Sequence, residues 1–387
     1  MKVKILYVTT ISNTVNAFLI PHIKLLIDEG HQVDVAFNIK RDPSYNLIEF
    51  GCKIHNIEFQ RSPFKIDNIK AYKQLKKLIL NEGYDLIHTH TPLASFITRT
   101  VCKNMVDIKI IYTAHGFHFF KGAPLKNWFF YYPIEKLTAR WTDVIITMNN
   151  EDFLAAQKFK MKMKDSVYMI HGVGIEVNSL SESNGNEREK LRKKYGLNTN
   201  EFVLFYAAEL NYNKHQDLLI MAIKILKKEM SNIKLLLAGT GRLKKKYEDL
   251  IRKHNLQDNI ELLGYRNDVP HLLKVADVVV ASSRREGLPV NVLEAMAMGV
   301  PIIATKTRGH VDLICDKFNG YLVDKDNAND FAYAIKKLYN SKELRLKFIK
   351  NSYFKLKEYD QLNVLNELKY IYENILITSN DKKRNID

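Results

Sequence analysis

Cysteine is scarce: Cys52, Cys102 and Cys315 are the only three in 387 residues, and they stand far apart. Scattered thiols make neither a disulfide framework nor a zinc-ligand spacing, so a reducing compartment is expected. Long apolar runs are missing too, since none reaches the roughly 18 residues that cross a bilayer. The opening Met-Lys-Val-Lys-Ile-Leu-Tyr-Val-Thr-Thr has too short an apolar core for a signal peptide, and no small-residue cleavage site follows. It is expected to be a strand. Nor is there a basic tail: the net charge of +16 is shared by both halves of the chain. Charge alone admits nucleic acid, anionic lipid or a phosphorylated substrate as partner, and equally a lysine-rich solvated surface. What is present is an ordinary soluble balance, 46% hydrophobic and 26% charged, over a length that suits two domains.

Short apolar strands alternate with amphipathic helices. The pattern predicts strands at Lys4–Thr9, His31–Phe37, Leu86–His88, Ile108–Thr113 and Asp143–Thr147, with helices over 16–29 and 68–81. The pattern resumes with strands at Phe202–Ala207, Lys234–Ala238, Ile260–Leu263, 275–281 and Pro301–Ala304. Helices are predicted from Gln216 and over 243–254, 327–339, 341–356 and 361–376, with 377–387 disordered. A polar loop from Ser179 and a charged helix after it mark a linker near 180–199. The alternation argues for two doubly wound parallel sheets, one in residues 1–180 and one in 200–356. Open sheets bind ligands beyond the carboxyl ends of their strands. Two such domains would bring two substrates together.

The densest chemistry is in residues 286–299, Glu-Gly-Leu-Pro-Val-Asn-Val-Leu-Glu-Ala-Met-Ala-Met-Gly. They follow a β-branched run, so the unit reads strand, tight loop, helix. Gly287 lets the backbone turn and approach a ligand closely. Pro289 suits the first helical turn. The amides of Val290, Asn291 and Val292 then point out of a helix N-terminus, a favourable place for a diphosphate. Glu286 precedes that terminus and Glu294 lies about a turn inside it, where both can accept hydrogen bonds from ribose and hexose hydroxyls. Either one alone would pass for a solvated loop or helix glutamate.

The whole string resembles the E-x7-E signature of family 4 glycosyltransferases. It matches at both carboxylates, at the Gly287-Leu288-Pro289 turn and at the closing Gly299-Val300-Pro301. The resemblance implies the GT-B fold: two Rossmann-like doubly wound domains facing across a cleft, with the chain from about 357 crossing back to the first. It implies that Glu286 contacts the donor sugar and Glu294 the ribose. Gly30-His31-Gln32-Val33 resembles the family's first helix-to-strand turn. His115, after Tyr112-Thr113-Ala114, matches a histidine beside the donor sugar, while His88-Thr89-His90 ends a neighbouring strand.

Glu209-Leu210-Asn211-Tyr212-Asn213-Lys214 stands where the family commonly has Gly-Arg-Leu and then a lysine. Lys214 matches the diphosphate-binding lysine. Glu209 reverses the arginine's charge, as in a branch of the family found in capsule and exopolysaccharide synthesis. A second cation is then expected from Arg284, Arg285 or Arg308, or the helix N-terminus serves instead. The turn holding Tyr265 and Arg266 resembles the base-binding turn. The glycines of Ala238-Gly239-Thr240-Gly241 are explained equally well by turn chemistry. Many relatives have a Gly-Gly loop where this chain has Thr9–Asn16.

Residues 117–132 hold aromatics far above the chain's 11%, including Trp128, Phe129 and Phe130. They read either as core or, with Lys121, Lys126 and the lysines at 70, 73, 76 and 77, as an interfacial surface.

The expected enzyme is a retaining glycosyltransferase that uses a UDP-sugar, an N-acetylhexosamine in the first instance. Its expected acceptor is a polyprenyl-diphosphate-linked or growing surface glycan. It is expected to be peripheral on the cytoplasmic face of the inner membrane, with no nucleic acid as partner. The expected catalytic residues are His115, Glu286 and Lys214. The expected donor contacts are Glu294, Gly287, Leu288, Val290, Asn291, Tyr265, Arg266 and Glu209. No Asp-x-Asp accompanies the E-x7-E string, so no metal and no cofactor is expected. Two other readings stay open: a GT-B-like nucleotide-sugar 2-epimerase, which needs no acceptor, and a basic membrane- or nucleic-acid-surface binder. The last leaves the spacing of Glu286 and Glu294 unexplained.

Overall fold

The computed structural model describes residues 2–177 and 185–384. The polar loop beginning at Ser179 lies largely outside the described residues. The chain forms two units, Met1–Gly174 together with Gln361–Asp387, and Ile175–Asp360.

The first unit holds a seven-stranded parallel sheet. Its strands are β1 (Lys4–Ile11), β2 (Gln32–Asn38), β3 (Ile54–Asn56), β4 (Leu86–His90), β5 (Lys109–Ala114), β6 (Val144–Thr147) and β7 (Val167–Met169). The order is β3-β2-β1-β4-β5-β6-β7, every pair parallel. Central parallel strands are covered on both faces, which is why β1 is buried almost end to end. Leu6, Val8 and Ile87 pack against Leu75, Ile79 and Ile97 of the covering helices. The order reverses between β1 and β4, so a crevice is expected beyond their carboxyl ends.

The segment after β1 departs from the single helix predicted at 16–29. A helical turn at Ser12–Thr14 runs through a π-helical stretch, Val15–Leu19, into the α-helix Ile20–Asp28. Such π insertions gather at functional sites. The helix Pro92–Cys102 is not among the predicted elements. The proline in fact opens the helix, where its missing N–H costs nothing.

The second unit holds β8 (Phe202–Ala207), β9 (Ile233–Ala238), β10 (Ile260–Gly264), β11 (Val278–Ala281), β12 (Ile302–Thr305) and β13 (Tyr321–Val323). The order is β10-β9-β8-β11-β12-β13, again wholly parallel. Here the reversal falls between β8 and β11. The strand predicted at 275–281 is shorter than expected: Val275 ends the helix Val269–Val275. The Asp277 carboxylate anchors the turn, accepting from the Val203 amide at 2.8 Å and from Arg192 at 2.8 Å.

The last helix, Gln361–Arg384, belongs to the first unit and buries Val364, Leu368, Ile371 and Ile375. The disorder predicted from 377 is a continuation of this helix, because its apolar stripe seats the turns that precede it. Residues 385–387 lie outside the described residues. Among the described residues no helix is long and apolar enough to cross a membrane.

Candidate active site

At the reversal point of the second sheet two loops are tied together. The Arg284 amide donates to Asn213 O (2.7 Å), Asn213 Nδ2 to Arg285 O (3.0 Å) and Ser282 Oγ to Lys214 O (2.7 Å). These bonds bring Lys214 Nζ to 2.6 Å from Glu286 Oε1. Both side chains are largely buried, 22% and 12% exposed, so Glu286 is not a solvated loop residue. Burial alone would lower the Lys214 ammonium, but the Glu286 carboxylate outweighs it and holds the lysine above its ordinary range. Burial likewise pushes Glu286 up, and the Lys214 charge with the field of His310 reverses this, leaving the carboxyl below the usual glutamate range. Ser283 bonds both Glu286 and the buried Tyr206 hydroxyl, the latter at 2.7 Å.

A loop after β12 closes over this pair. Arg308 Nε donates to Glu286 O at 3.0 Å. Gly309, at φ +80°, lies so close that a Cβ would stand 2.7 Å from Gly287 O and 3.1 Å from Glu286 Cβ. His310 is fully buried, with Nδ1 2.8 Å from Thr305 O and Nε2 without a partner among the described residues.

The helix Val290–Ala297 starts one residue later than its sequence suggests. Pro289 is the N-cap, with ψ at 96°, and does not lie in the first turn. Its carbonyl accepts the Val292 amide at 3.0 Å. The diphosphate-facing amides expected at three positions therefore reduce to Val290 and Asn291. Asn291 Nδ2 pins the helix to the end of β8 through Ala207 O at 3.1 Å. Glu294 is exposed one turn on, where apolar neighbours raise its carboxyl by desolvation. Leu288 packs against the core of the unit.

Glu209 is exposed, and its field acts on Lys214. Its loop is seated by the two glycines that looked unremarkable in the sequence. A Cβ on Gly239 would stand 2.0 Å from Ala208 O, and one on Gly241 2.3 Å from Leu210 O. Tyr265 is 66% exposed beyond β10. Arg266 is bound to Asp268 at 2.8 Å and lies over the Tyr195 ring, so it is less available to a base than expected. Arg284 is similarly held, by Asp326 and His215. That Asp326 belongs to an Asp324-Lys325-Asp326 triplet, an Asp-x-Asp that the sequence reading passed over. Among the described residues no cluster of three or more His, Cys, Asp or Glu is placed to hold a metal.

His115 lies in the other unit, just past β5. Its Nε2 is 3.1 Å from His90 Nδ1. Strand alternation puts His88 and His90 on one face of β4. Their rings stack at 4.2 Å, and Tyr7 of β1 stacks on His90 at 5.3 Å. His88 bonds Thr113 Oγ1 and Tyr372 OH, each at 2.7 Å. Burial lowers all these imidazoles. His115 falls to about 4, by burial first and then by the field of His22. His88 and His90 are held well below their usual value. Of these histidines only His115 was expected to have a role, and His310 was not expected, since nothing in its immediate sequence sets it apart from a core histidine.

Residues 187–354 match the family described as glycosyl transferases group 1, and residues 4–149 the family described as glycosyl transferase 4-like. The chain is 39% identical to the putative glycosyltransferase EpsD of Bacillus subtilis over 89% of each chain. It is 28% identical to the UDP-Gal:alpha-D-GlcNAc-diphosphoundecaprenol alpha-1,3-galactosyltransferase of Escherichia coli over 73% of each. Among solved structures, HepE of Anabaena in complex with UDP superposes with a TM-score of 0.77 at 19% identity, covering 97% of this chain and all of that one.

Proposed function

The chain belongs to the GT-B glycosyltransferases of family 4, and from that premise we propose a retaining enzyme that moves an N-acetylhexosamine from its UDP conjugate. The acceptor is a lipid-linked or growing oligosaccharide of a capsule, exopolysaccharide or other surface glycan. The observation that carries this reading is the buried Lys214–Glu286 pair, 2.6 Å apart at the foot of a helix N-terminus. It joins one cation for a departing diphosphate to one carboxylate for sugar hydroxyls.

In this reading Lys214 and the amides of Val290 and Asn291 stabilise the charge that develops as the C–O bond to the diphosphate breaks. Glu286 holds the sugar, and Glu294 the ribose. The acceptor hydroxyl attacks the anomeric carbon on the face that the diphosphate leaves, and the departing phosphate takes its proton. No divalent ion is assigned a part, and a strict metal requirement overturns that element. The family resemblance gives His115 its place beside the donor sugar.

The Escherichia coli relative, named for a diphosphoundecaprenol-linked substrate, supports a lipid-linked acceptor. The UDP complex of HepE supports UDP. A place at a membrane surface is supported by the helix Leu125–Thr138, which leaves Leu125, Phe129 and Phe130 exposed beside Lys126 while Phe117 and Phe119 enter the core. Flotation with anionic vesicles, lost on Phe129→Ser/Phe130→Ser, checks that placement.

Thermal shift against UDP, GDP, ADP and their sugar conjugates tests the donor site. UDP is expected to raise Tm, since a ligand that binds only the native state must stabilise it. Glu294→Ala reduces the shift, and His115→Ala lowers turnover more than it lowers binding. No shift at millimolar nucleotide sinks the assignment. Accumulation of an epimer from donor alone replaces it with the 2-epimerase reading.

A further inference from the structure

Beyond the carboxyl ends of β1 and β4 the first unit opens into a groove of about 880 Å³, a volume typical of small-molecule sites. It runs between the 61–72 segment, the helix Pro92–Cys102 and the helix Leu125–Thr138. Its walls are aliphatic and aromatic: Phe64, Ile66, Ile69, Phe96 and Ile134 all line it and all keep much of their surface in solvent. Phe64 is 89% exposed and Ile66 81%, unusual for residues that the chain could instead have folded inward. The one carboxylate of the lining, Glu135, is neutralised by the buried Arg99 at 2.8 Å.

The groove does not end in apolar surface. At its strand end it meets a second recess of about 440 Å³ that shares Ile11, Thr14 and Arg61 with it. The recess adds Arg41, Asn13 and Asn16. Asn13 Oδ1 is buried and has no hydrogen-bond partner among the described residues. Arg61 and Lys65 stand on the groove, and among the described residues neither forms a salt bridge. Thr91, where groove and strand meet, holds φ at +67°, a strained value for a β-branched residue. Its hydroxyl is bonded to Thr10 Oγ1 at 2.7 Å, which fixes the shape of that corner.

The geometry points to a binding site for the first isoprene units and the diphosphate of a polyprenyl-diphosphate-linked acceptor. The lining supplies what such a molecule requires: apolar walls with Lys65 among them, and Arg61 where the groove joins the polar recess. A methyl-branched, flat hydrocarbon meets aromatic and branched aliphatic walls. The anion that follows meets Arg61 and Lys65, with Arg41 further in. The sugar then reaches the recess, whose lining adds the polar side chains of Asn13 and Asn16. This inference rests on the glycosyltransferase reading and assigns that enzyme's acceptor to particular residues.

Titration calorimetry with farnesyl diphosphate as probe tests it on the full chain. The expected result is saturable binding that Phe64→Ser/Ile66→Ser weakens at least ten-fold. Both residues are exposed, so the fold is retained, as an unchanged UDP thermal shift confirms. Arg61→Gln/Lys65→Gln is expected to weaken farnesyl diphosphate by a similar factor and to leave farnesol binding unchanged. Inorganic diphosphate binding as tightly as farnesyl diphosphate overturns the proposal, because the groove then contributes nothing. Dodecyl phosphate binding equally well overturns the choice of an isoprenoid over an acyl chain. Retained UDP binding without farnesyl diphosphate binding removes the groove alone, whereas groove binding without any nucleotide response removes the donor reading alone.

Discussion

The two sheets reverse their strand order at equivalent places, yet what lies buried beside the two reversals is electrically opposite. Around β4 and β5 the buried groups are imidazoles and phenols that hydrogen-bond one another: His88, His90, His115, Tyr7 and Tyr372. Around β8 and β11 they are a cation and an anion in contact. Burial penalises charge in both places. The imidazoles answer by shedding the proton, as their lowered values show. Lys214 and Glu286 answer by pairing and so keep their charges, each shifted toward the ionised form. The same architecture thus buries neutral hydrogen-bonding rings beside one reversal and a pair of opposite charges beside the other.

The comparison breaks most sharply at Lys214. Lys214→Met should lower kcat by about 10²–10³-fold, the loss seen when one group facing a developing anion is removed. It should also destabilise the protein by about 3–5 kcal/mol, since Glu286 is left buried without its partner. Lys214→Met/Glu286→Leu is the sharper variant. Denaturant melts should show stability largely restored, with activity still absent. If the double variant regains turnover, the pair is structural and the assignment fails.

The pH dependence separates the two reversals next. A histidine with a lowered folded value stabilises the native state while both states are neutral. That contribution is lost as pH falls from the unfolded value near 6.5 through the folded value, about 4 for His115. Glu286, whose folded value is also lowered, keeps its contribution above the usual carboxylate range and loses it only below. Lys214, raised, keeps its contribution at every pH below the ordinary lysine value and loses it as pH rises beyond. Between pH 6.5 and 5 the first unit should soften more, since His88, His90 and His115 cluster there while the second site holds only His310 and His215 with lowered values among its described residues. Hydrogen exchange should therefore quicken more in peptides of β4 and β5 than in those of β8 and β11, after correction for the intrinsic rate. Equal softening in both would show that the imidazoles are not the acid-labile element.

Much of this was legible in the sequence because the signals were local. The strand at Phe202–Ala207 and the turn before Glu294 need only neighbouring residues to be recognised. What escaped depended on partners far along the chain. The three-residue edge strands Ile54–Asn56, Val167–Met169 and Tyr321–Val323 are too short to show alternation. Gly239 and Gly241 looked like turn residues until the Glu209 loop was seen lying on them. His310 has no local signature that sets it apart from a core histidine, since its meaning comes from Glu286, 24 positions earlier. The groove is assembled from segments near residues 10, 65, 95 and 133, each an ordinary amphipathic stretch when read alone. In the aromatic segment at 117–132, Phe117 and Phe119 are core while Phe129 and Phe130 stay exposed, a division that composition alone does not reveal.

The smallest expected effect concerns Glu209, where the family's cation is replaced by an anion. Its carboxylate is exposed and acts on Lys214 only through its field. An exposed charge of this sort is worth about 0.2–1 kcal/mol. Glu209→Gln should therefore, on the proposed donor site, tighten UDP binding by roughly two- to five-fold at low ionic strength, because one negative charge acting on Lys214 is gone. The gain should vanish near 1 M salt, where screening acts within about 3 Å. Titration calorimetry at two salt concentrations decides it. Weaker binding at both would mean that the carboxylate grips a donor hydroxyl directly. The charge reversal would then be a device for recognising the sugar, and the site around Lys214 and Glu286 would be built from three charged groups where two were counted.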